Sequence, residues 1–427
     1  MTFQALTIDE YENFALTHPY GSFHQTTNWG QLKETNGWNY YLLGIKEQDQ
    51  VIAAALVLKK KLFLNYCLLY SPRGFLLDYE NKDLLTVFTN GIKQFGKKQH
   101  AIFVKIDPCV INKERDLDGK IIESGIDNTH LVSDLKKRGY RHNGFNLYME
   151  DLQPRWSFCL DISNQTEEEV LNKMEPKTRQ LIRKNQKNCI VTREIGIAEL
   201  ELFKKIMDHT ALRRGFIDRP YSYYKNMLEI LGDQAKILIA ELHVNDYLSS
   251  LHDQIKMADD QIKAKELEIK EGTKAINLDK ANHKIADLKA EIERLNNKLL
   301  KGQKILETDG EVVILGGIIF MLHHKEILSL FGGAYDQYME FLSPYTTNWD
   351  MIKYGINHGY HKYNFYGITG DFKNTKSESY GLYDFKRGFS GIVIEYIGEF
   401  DLVLNKPLYL GYKLALKGYD LLKKIKR

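Results

Sequence analysis

Between Pro176 and Asn188 the chain places Arg179, Arg183 and Lys187 at i, i+4 and i+8, so a helix there carries three cations on one face. Like charges at that spacing repel, and the face either binds an anion or is simply a solvated basic helix. A second group follows: Arg213 and Arg214, then Arg219 within Gly215-Phe216-Ile217-Asp218-Arg219-Pro220, with Tyr223 and Tyr224 just beyond. A guanidinium is a planar fork of donors matched to phosphate oxygens, and a tyrosine beside it adds a hydroxyl or a ring on which a base can stack. Cys67, Cys109, Cys159 and Cys189 lie far apart and form no CxxC pair. They read as reduced thiols, with Cys67 and Cys159 in apolar strand-like runs, and neither a metal nor a disulfide framework is expected.

The elements that position these groups fall into an ordinary globular pattern with one exception. At 427 residues, 43% apolar and 27% charged, the chain is long enough for two or three domains. The net charge of +3 comes from 59 basic and 56 acidic residues, so attraction to an anionic partner must arise from local patches. Met1 to Glu12 shows no basic start followed by an apolar run. The longest apolar stretch, Val312 to Leu322, falls well short of the roughly 20 residues that span a bilayer. A cytoplasmic protein is expected.

The exception is Tyr247 to Glu307, where apolar residues recur at alternating three and four spacing among Lys, Asp and Glu. Leu251, Ile255, Ala258, Ile262 and Ile269 mark one arm, and Ile285, Leu288, Ile292, Leu295 and Leu299 the other, with a turn in Gly272 to Asn282. Arms of about 25 residues do not persist alone in water, so an antiparallel helical hairpin is predicted. Strand-like runs flank it, Ala235 to Leu242 and Glu311 to Leu322, which makes it an insertion within a domain. It reads as an appendage that grips RNA or a partner, and not as a folding element.

With the hairpin set aside, the two halves echo one another. The first half has strands at Tyr40 to Ile45, Val51 to Lys59 and Tyr66 to Ser71, a helix at Lys82 to Lys97, a strand ending at Asp107, and a helix ending near Tyr140. The second has the strands around the hairpin, then Ile327 to Gly332, a helix from Thr346 to His358, a strand Tyr363 to Gly367, and a basic-Gly-aromatic turn Phe385 to Phe389 before a last strand, Gly391 to Ile397. This order resembles the GNAT acyltransferase fold. The expected architecture is α/β (α+β): two tandem GNAT-like domains, 1–152 and 153–246 plus 308–407, with a coiled-coil arm at 247–307 and a basic C-terminal helix at 408–427. The domain boundary is placed near Asp151 to Arg155. A GNAT enzyme that uses acetyl-CoA needs a glycine-rich loop at a helix N-terminus to hold the pyrophosphate. Neither Arg73-Gly74 nor Gly332-Gly333 has that spacing, so another activated acyl donor is sought.

An ordered set of motifs is more specific. Gln25-Thr26-Thr27-Asn28-Trp29 with Lys33, Arg73-Gly74-Phe75-Leu76-Leu77-Asp78-Tyr79, Lys105-Ile106-Asp107-Pro108, the basic helix, the hairpin, Tyr363-Asn364-Phe365-Tyr366-Gly367, and Gly381 to Phe389 with Glu395 to Phe400 resemble, in that order, the long form of the Fem family (FemA/FemB type). The resemblance implies transfer of Gly, Ala or Ser from aminoacyl-tRNA to the stem-peptide lysine, or the growing bridge, of lipid II or a UDP-linked muropeptide. It implies no cofactor and no metal. By similarity Lys33 and Arg219 contact the precursor's phosphates, Tyr223 and Tyr345 line the same groove, Lys386 stabilises the charge of acyl transfer, and Asp107 is a candidate base. Arg183 belongs with the substrate-binding cations. A peripheral contact with the inner membrane face, and a homodimer or a pairing with related paralogues, stay open. The competing reading is a nonenzymatic tRNA-binding or scaffold protein whose working part is the hairpin; a GNAT enzyme with another acyl donor stands behind it.

Overall fold

The computed structural model describes residues 1–148, 152–271 and 277–425, with side chains through residue 418. The first half runs β1 (Thr2–Ala5), α1 (Ile8–Thr17), α2 (Thr27–Glu34), β2 (Asn39–Glu47), β3 (Gln50–Lys61), β4 (Cys67–Ser71), α3 (Lys82–Lys98), β5 (Ala101–Ile106), β6 (Ile111–Glu114), α4 (Thr129–Lys137) and β7 (Tyr140–His142). The second runs β8 (Trp156–Asp161), α5 (Glu167–Lys173), α6 (Pro176–Lys187), β9 (Ile190–Ile195), α7 (Leu200–Arg214), α8 (Tyr221–Leu231), β10 (Ala235–His243), α9 (Val244–Glu271), α10 (Leu278–Asp309), β11 (Val312–His323), β12 (Glu326–Ala334), α11 (Ser343–Asn357), β13 (Lys362–Gly367), α12 (Glu378–Arg387), β14 (Ile392–Tyr396), β15 (Phe400–Val403) and α13 (Lys406–Ile425).

These strands make two mixed sheets, β1-β2-β3-β4-β5-β15-β7 and β6-β14-β8-β13-β12-β11-β10-β9. In each, four strands run antiparallel before a crossover helix returns the chain to a parallel neighbour: β4 to β5 through α3, and β12 to β13 through α11. The expected α/β architecture of two tandem GNAT-like units is this echo. Side chains explain its interior. Ala53 to Leu58 of β3 are buried on both faces, so the strand reads as an unbroken apolar run.

Two strands cross the division expected at 152–153. β6, from the first half, closes the edge of the second sheet beside β14, while β15, from the end of the chain, slots between β5 and β7 of the first. Glu395 on β14 binds Arg115 and Arg155, and Lys105 on β5 binds Glu399 and Asp401, so ion pairs follow the same exchange. Asp151, the start of the expected boundary, lies outside the described residues.

The hairpin's arms are 28 and 32 residues long, about 42 and 48 Å at roughly 1.5 Å per residue. All ten predicted seam residues pack along it. The arms are longer than expected because α9 starts directly after β10 and α10 runs to within two residues of β11. Gly272 to Ile276 of the expected turn lie outside the described residues, while Leu278 to Asn282 are helical, capped by the Asn277 side chain. The hairpin is also more than an appendage. At its base Tyr247, Leu251 and Leu295 are buried against Tyr338, Phe341 and the β10–β11 strands.

Phe385 to Arg387 form the last turn of helix α12, where a turn was expected; Ser377 caps that helix and two cations complement its C-terminal dipole. All four cysteines are free, with Cys67 and Cys159 buried in β4 and β8. Among the described residues no helix is long and apolar enough to cross a membrane.

Candidate active site between the two sheets

Helix α2 carries Trp29 and Lys33 one turn apart, and the N-terminus of α8 brings Arg219 and Tyr223 against them. Lys33 Nζ lies 4.1 Å from the centre of the Trp29 ring and 5.7 Å from that of Tyr223. The Arg219 guanidinium lies 5.3 Å from the same Tyr223 ring and 4.1 Å from that of Phe331 on β12. Two cations therefore share one aromatic platform. Neither forms an ion pair among the described residues, and Trp29 Nε1 is buried there without an acceptor. Burial first, and then the Arg219 charge, hold the Lys33 ammonium down at about 8. An anion bound between the two would relieve both effects.

The short turn at Phe23–Gln25 connects this pair to a second feature. Phe23 and His24 pack on Trp29 at 5.1 and 5.0 Å, and both line a cavity of about 210 Å³ between the sheets. Arg73 forms one wall. The Gln25 amide donates to Pro72 O at 2.5 Å and accepts from Leu56 N at 2.9 Å, while Asp107 accepts from Arg73 N at 2.6 Å and from Tyr70 Oη at 2.7 Å. A Cβ on Gly74 would stand 2.4 Å from Ser71 Oγ, so the turn closes only on glycine. The Asp107 carboxyl is 3% exposed, and burial pushes it up to about 7 against the pull of Arg73.

Lys386 lies in the second unit, in the last turn of α12. Its Nζ, in a side chain 8% exposed, donates to Phe365 O at 2.6 Å and to Gly367 O at 2.7 Å. Those carbonyls flank Tyr366, which sits at φ +65° in the bulge where β13 loses register with β8. Tyr366 lines the cavity and lies within electrostatic reach of both Arg73 and Arg219. Burial brings the Lys386 ammonium down to about 7.

The remaining predicted residues lie elsewhere. Tyr345 packs at 4.9 Å on Phe385 and at 5.9 Å on Phe389. Arg183 is exposed on α6. Its companion Arg179 is turned back onto the Asn172 and Met174 carbonyls, so the three-cation face is reduced. Arg213 pairs with Asp336, Arg214 with Glu378, and Arg387 with Asp118 and Glu175. Sequence reasoning missed Phe331, Tyr366 as a cavity residue, and the Lys362–Glu326 pair. The strand motif around Asn364 was the available signal for the last two. Gly332-Gly333, lacking loop spacing, lie within β12, where a Cβ on Gly333 would meet Thr210 Oγ1 of α7 at 2.0 Å. Among the described residues no three metal-ligating side chains are grouped.

Residues 6–417 match the model of the FemAB family. The chain is 29% identical over 422 residues to proteins named aminoacyltransferase FemA from Staphylococcus aureus strains RF122/ET3-1 and N315, covering 98% of this chain and 99% of each relative. A crystal structure titled FemX superposes with a TM-score of 0.75 at 27% identity, covering 96% of this chain and 99% of that one.

Proposed function

The chain belongs to the FemAB family and is an aminoacyltransferase, and from that premise we propose that it moves Gly, Ala or Ser from aminoacyl-tRNA to the stem-peptide lysine, or the growing bridge, of a lipid-linked or UDP-linked peptidoglycan precursor. The observation that carries the acceptor class is the Lys33–Arg219 pair. Two cations, stacked on Trp29, Tyr223 and Phe331 and paired with no carboxylate among the described residues, suit a pyrophosphate.

The acyl ester of charged tRNA is already activated, so the acceptor's neutral amine attacks its carbonyl directly. The C–N bond forms as the carbonyl electrons move onto oxygen, and the tetrahedral species collapses by expelling the tRNA ribose oxygen. The amine's proton leaves through that oxygen or water. The protein's contribution is orientation and stabilisation of the oxyanion. Lys386 has one N–H beyond the two given to Phe365 and Gly367, and we assign it to the oxyanion. Asp107 acts as a positioning residue through the Arg73 turn. Arg183, exposed on α6, is assigned to phosphates of the tRNA.

The enzyme works in the cytoplasm at the inner membrane face. There α13 exposes Leu410 and Leu414 beside Lys406 and Lys417, a surface suited to anionic lipid. Incubation with a charged tRNA pool and lipid II, followed by mass spectrometry, should give lipid II heavier by one or more aminoacyl residues. Failure of every aminoacyl-tRNA to modify either lipid II or a UDP-linked muropeptide would overturn the reading.

A further inference from the structure

The cavity between the sheets is built, charged and close to the cation pair, yet phosphate binding makes no use of it. Its most buried charged wall is Arg73, 4% exposed. Of the five N–H donors of that guanidinium, one goes to Pro154 O at 2.8 Å, and the ring of Tyr396 stands 4.4 Å away. Asp107 takes the backbone N–H of Arg73, not its side chain. Across the cavity Lys362 and Glu326 pair at 2.9 Å, with Asn364 donating to the same carboxylate at 2.8 Å, so those two charges offset each other. Among the described residues, what remains is a buried planar cation with unspent donors.

We propose that this cavity is the subsite for the free C-terminal carboxylate of the acceptor's peptide, with Arg73 as its anchor. The inference rests on the muropeptide reading above. A carboxylate matches the guanidinium fork as a bidentate partner. At about 210 Å³ the space is smaller than the roughly 300–1,000 Å³ of pockets that take a whole drug-sized ligand, so it admits the end of a longer acceptor and not a nucleotide. Its wall at Phe23 and His24 is shared with the Trp29 platform, and Tyr366 faces both places. One acceptor can therefore be held by its phosphates at Lys33 and Arg219 and by its peptide end at Arg73. The backbone around Arg73 is fixed beforehand by Gln25 and Asp107, so little ordering is left for the ligand to impose.

The test uses the unaltered enzyme and two UDP-linked muropeptides that differ only in a C-terminal carboxylate or carboxamide. Calorimetry should show the carboxamide binding roughly 10- to 100-fold more weakly, the loss of one charge-assisted contact. In Arg73→Gln the carboxylate form should fall to the level of the carboxamide, closing the gap. Equal affinity for the two ligands on the unaltered enzyme overturns the subsite while the muropeptide reading stands. Binding of neither, with lipid II carrying the same peptide also unbound, overturns both.

Discussion

The ends of β5 and β13 are equivalent places in the two units, each the parallel strand reached by a crossover helix, and each is fixed by a buried charge of opposite sign. In the first unit a carboxyl, Asp107, takes the N–H of Arg73; in the second an ammonium, Lys386, takes the carbonyls on either side of Tyr366. Each sets a backbone that delivers one side chain to the same cavity. They differ in support. Asp107 has a phenol and a nearby guanidinium, whereas the hydrogen-bond partners of Lys386 among the described residues are backbone carbonyls. A buried charge held by dipoles alone keeps spare donor capacity, which makes Lys386 the better placed of the two to meet a reacting oxygen.

Removing that spare N–H is the strongest way to break the comparison. Lys386→Ala, and Lys386→Met as the better-filling control, should lower kcat by roughly 10²- to 10³-fold while changing KM for either substrate less. A KM rise as large as the fall in kcat would instead make Lys386 a support for Tyr366, equivalent to Asp107 after all. Turnover within a few-fold of wild type would remove both roles.

The two charges should also pull stability in opposite directions with pH. Asp107 rises from its ordinary 3.8 to about 7, so between those values the folded chain keeps a proton the unfolded chain has lost, and stability falls as pH rises. Lys386 drops from 10.5 to about 7, so above 7 the unfolded chain holds the extra proton and stability rises with pH. Thermal melts should show Asp107→Asn flattening the acid limb and Lys386→Met the alkaline limb, each by on the order of 1 to 3 kcal/mol. Limbs unchanged in both variants would mean that neither group is shifted.

The cation pair sharpens the contrast, since its charges await a ligand where those of Asp107 and Lys386 are already engaged. Arg219→Ala and Lys33→Ala should each weaken muropeptide binding about 10- to 100-fold by calorimetry. Lys33 must be protonated to hold phosphate, so affinity in the wild type should be level below about pH 8 and fall above it. Lys33→Arg should keep the affinity level through that range. A flat wild-type profile would remove Lys33 from the site.

Much of this arrangement was legible in the chain. The sheet strands and the hairpin seam follow from local periodicity, while the motifs containing Gln25, Arg73, Asp107 and Lys386 stood out through the Fem-family resemblance. What stayed hidden depends on non-local pairing. β6 and β15 are four residues each, too short to show a period, and their exchange between sheets is fixed by partners nearly 300 positions away, such as Glu114 with Ile394. Tyr345, expected in the groove, has its ring packed on Phe385 and Phe389, contacts that no local spacing announces. Sequence marked Lys386 as a cation among aromatics without revealing that two backbone carbonyls already occupy it. Arg73 stood in plain view, yet its cavity is assembled from distant segments.

The smallest expected effect concerns the place where the hairpin sets the units apart, the connection after the second strand. In the first unit β2 turns into β3 through Gln48 and Asp49, both at positive φ, with Glu47 paired to Gln50. The second unit has the hairpin there, entered from His243 and left at Val312, which also pair directly. A two-residue Asn-Gly turn is therefore geometrically sufficient to join them. It would also strip Tyr247, Leu251 and Leu295 from Tyr338 and Phe341, uncovering apolar surface that the first unit does not have. A cut placed further out, replacing residues 259–291 with a short Gly-Ser loop, should leave Tm within a few degrees of wild type, whereas the bare Asn-Gly turn should lower it by more. The outer cut should raise KM for aminoacyl-tRNA a few-fold, more steeply at low salt because phosphate contacts release counterions, and leave KM for the muropeptide unchanged. If both KM values stay put, the distal arm serves something other than the donor, and sedimentation of the shortened chain then tests whether it joins two copies.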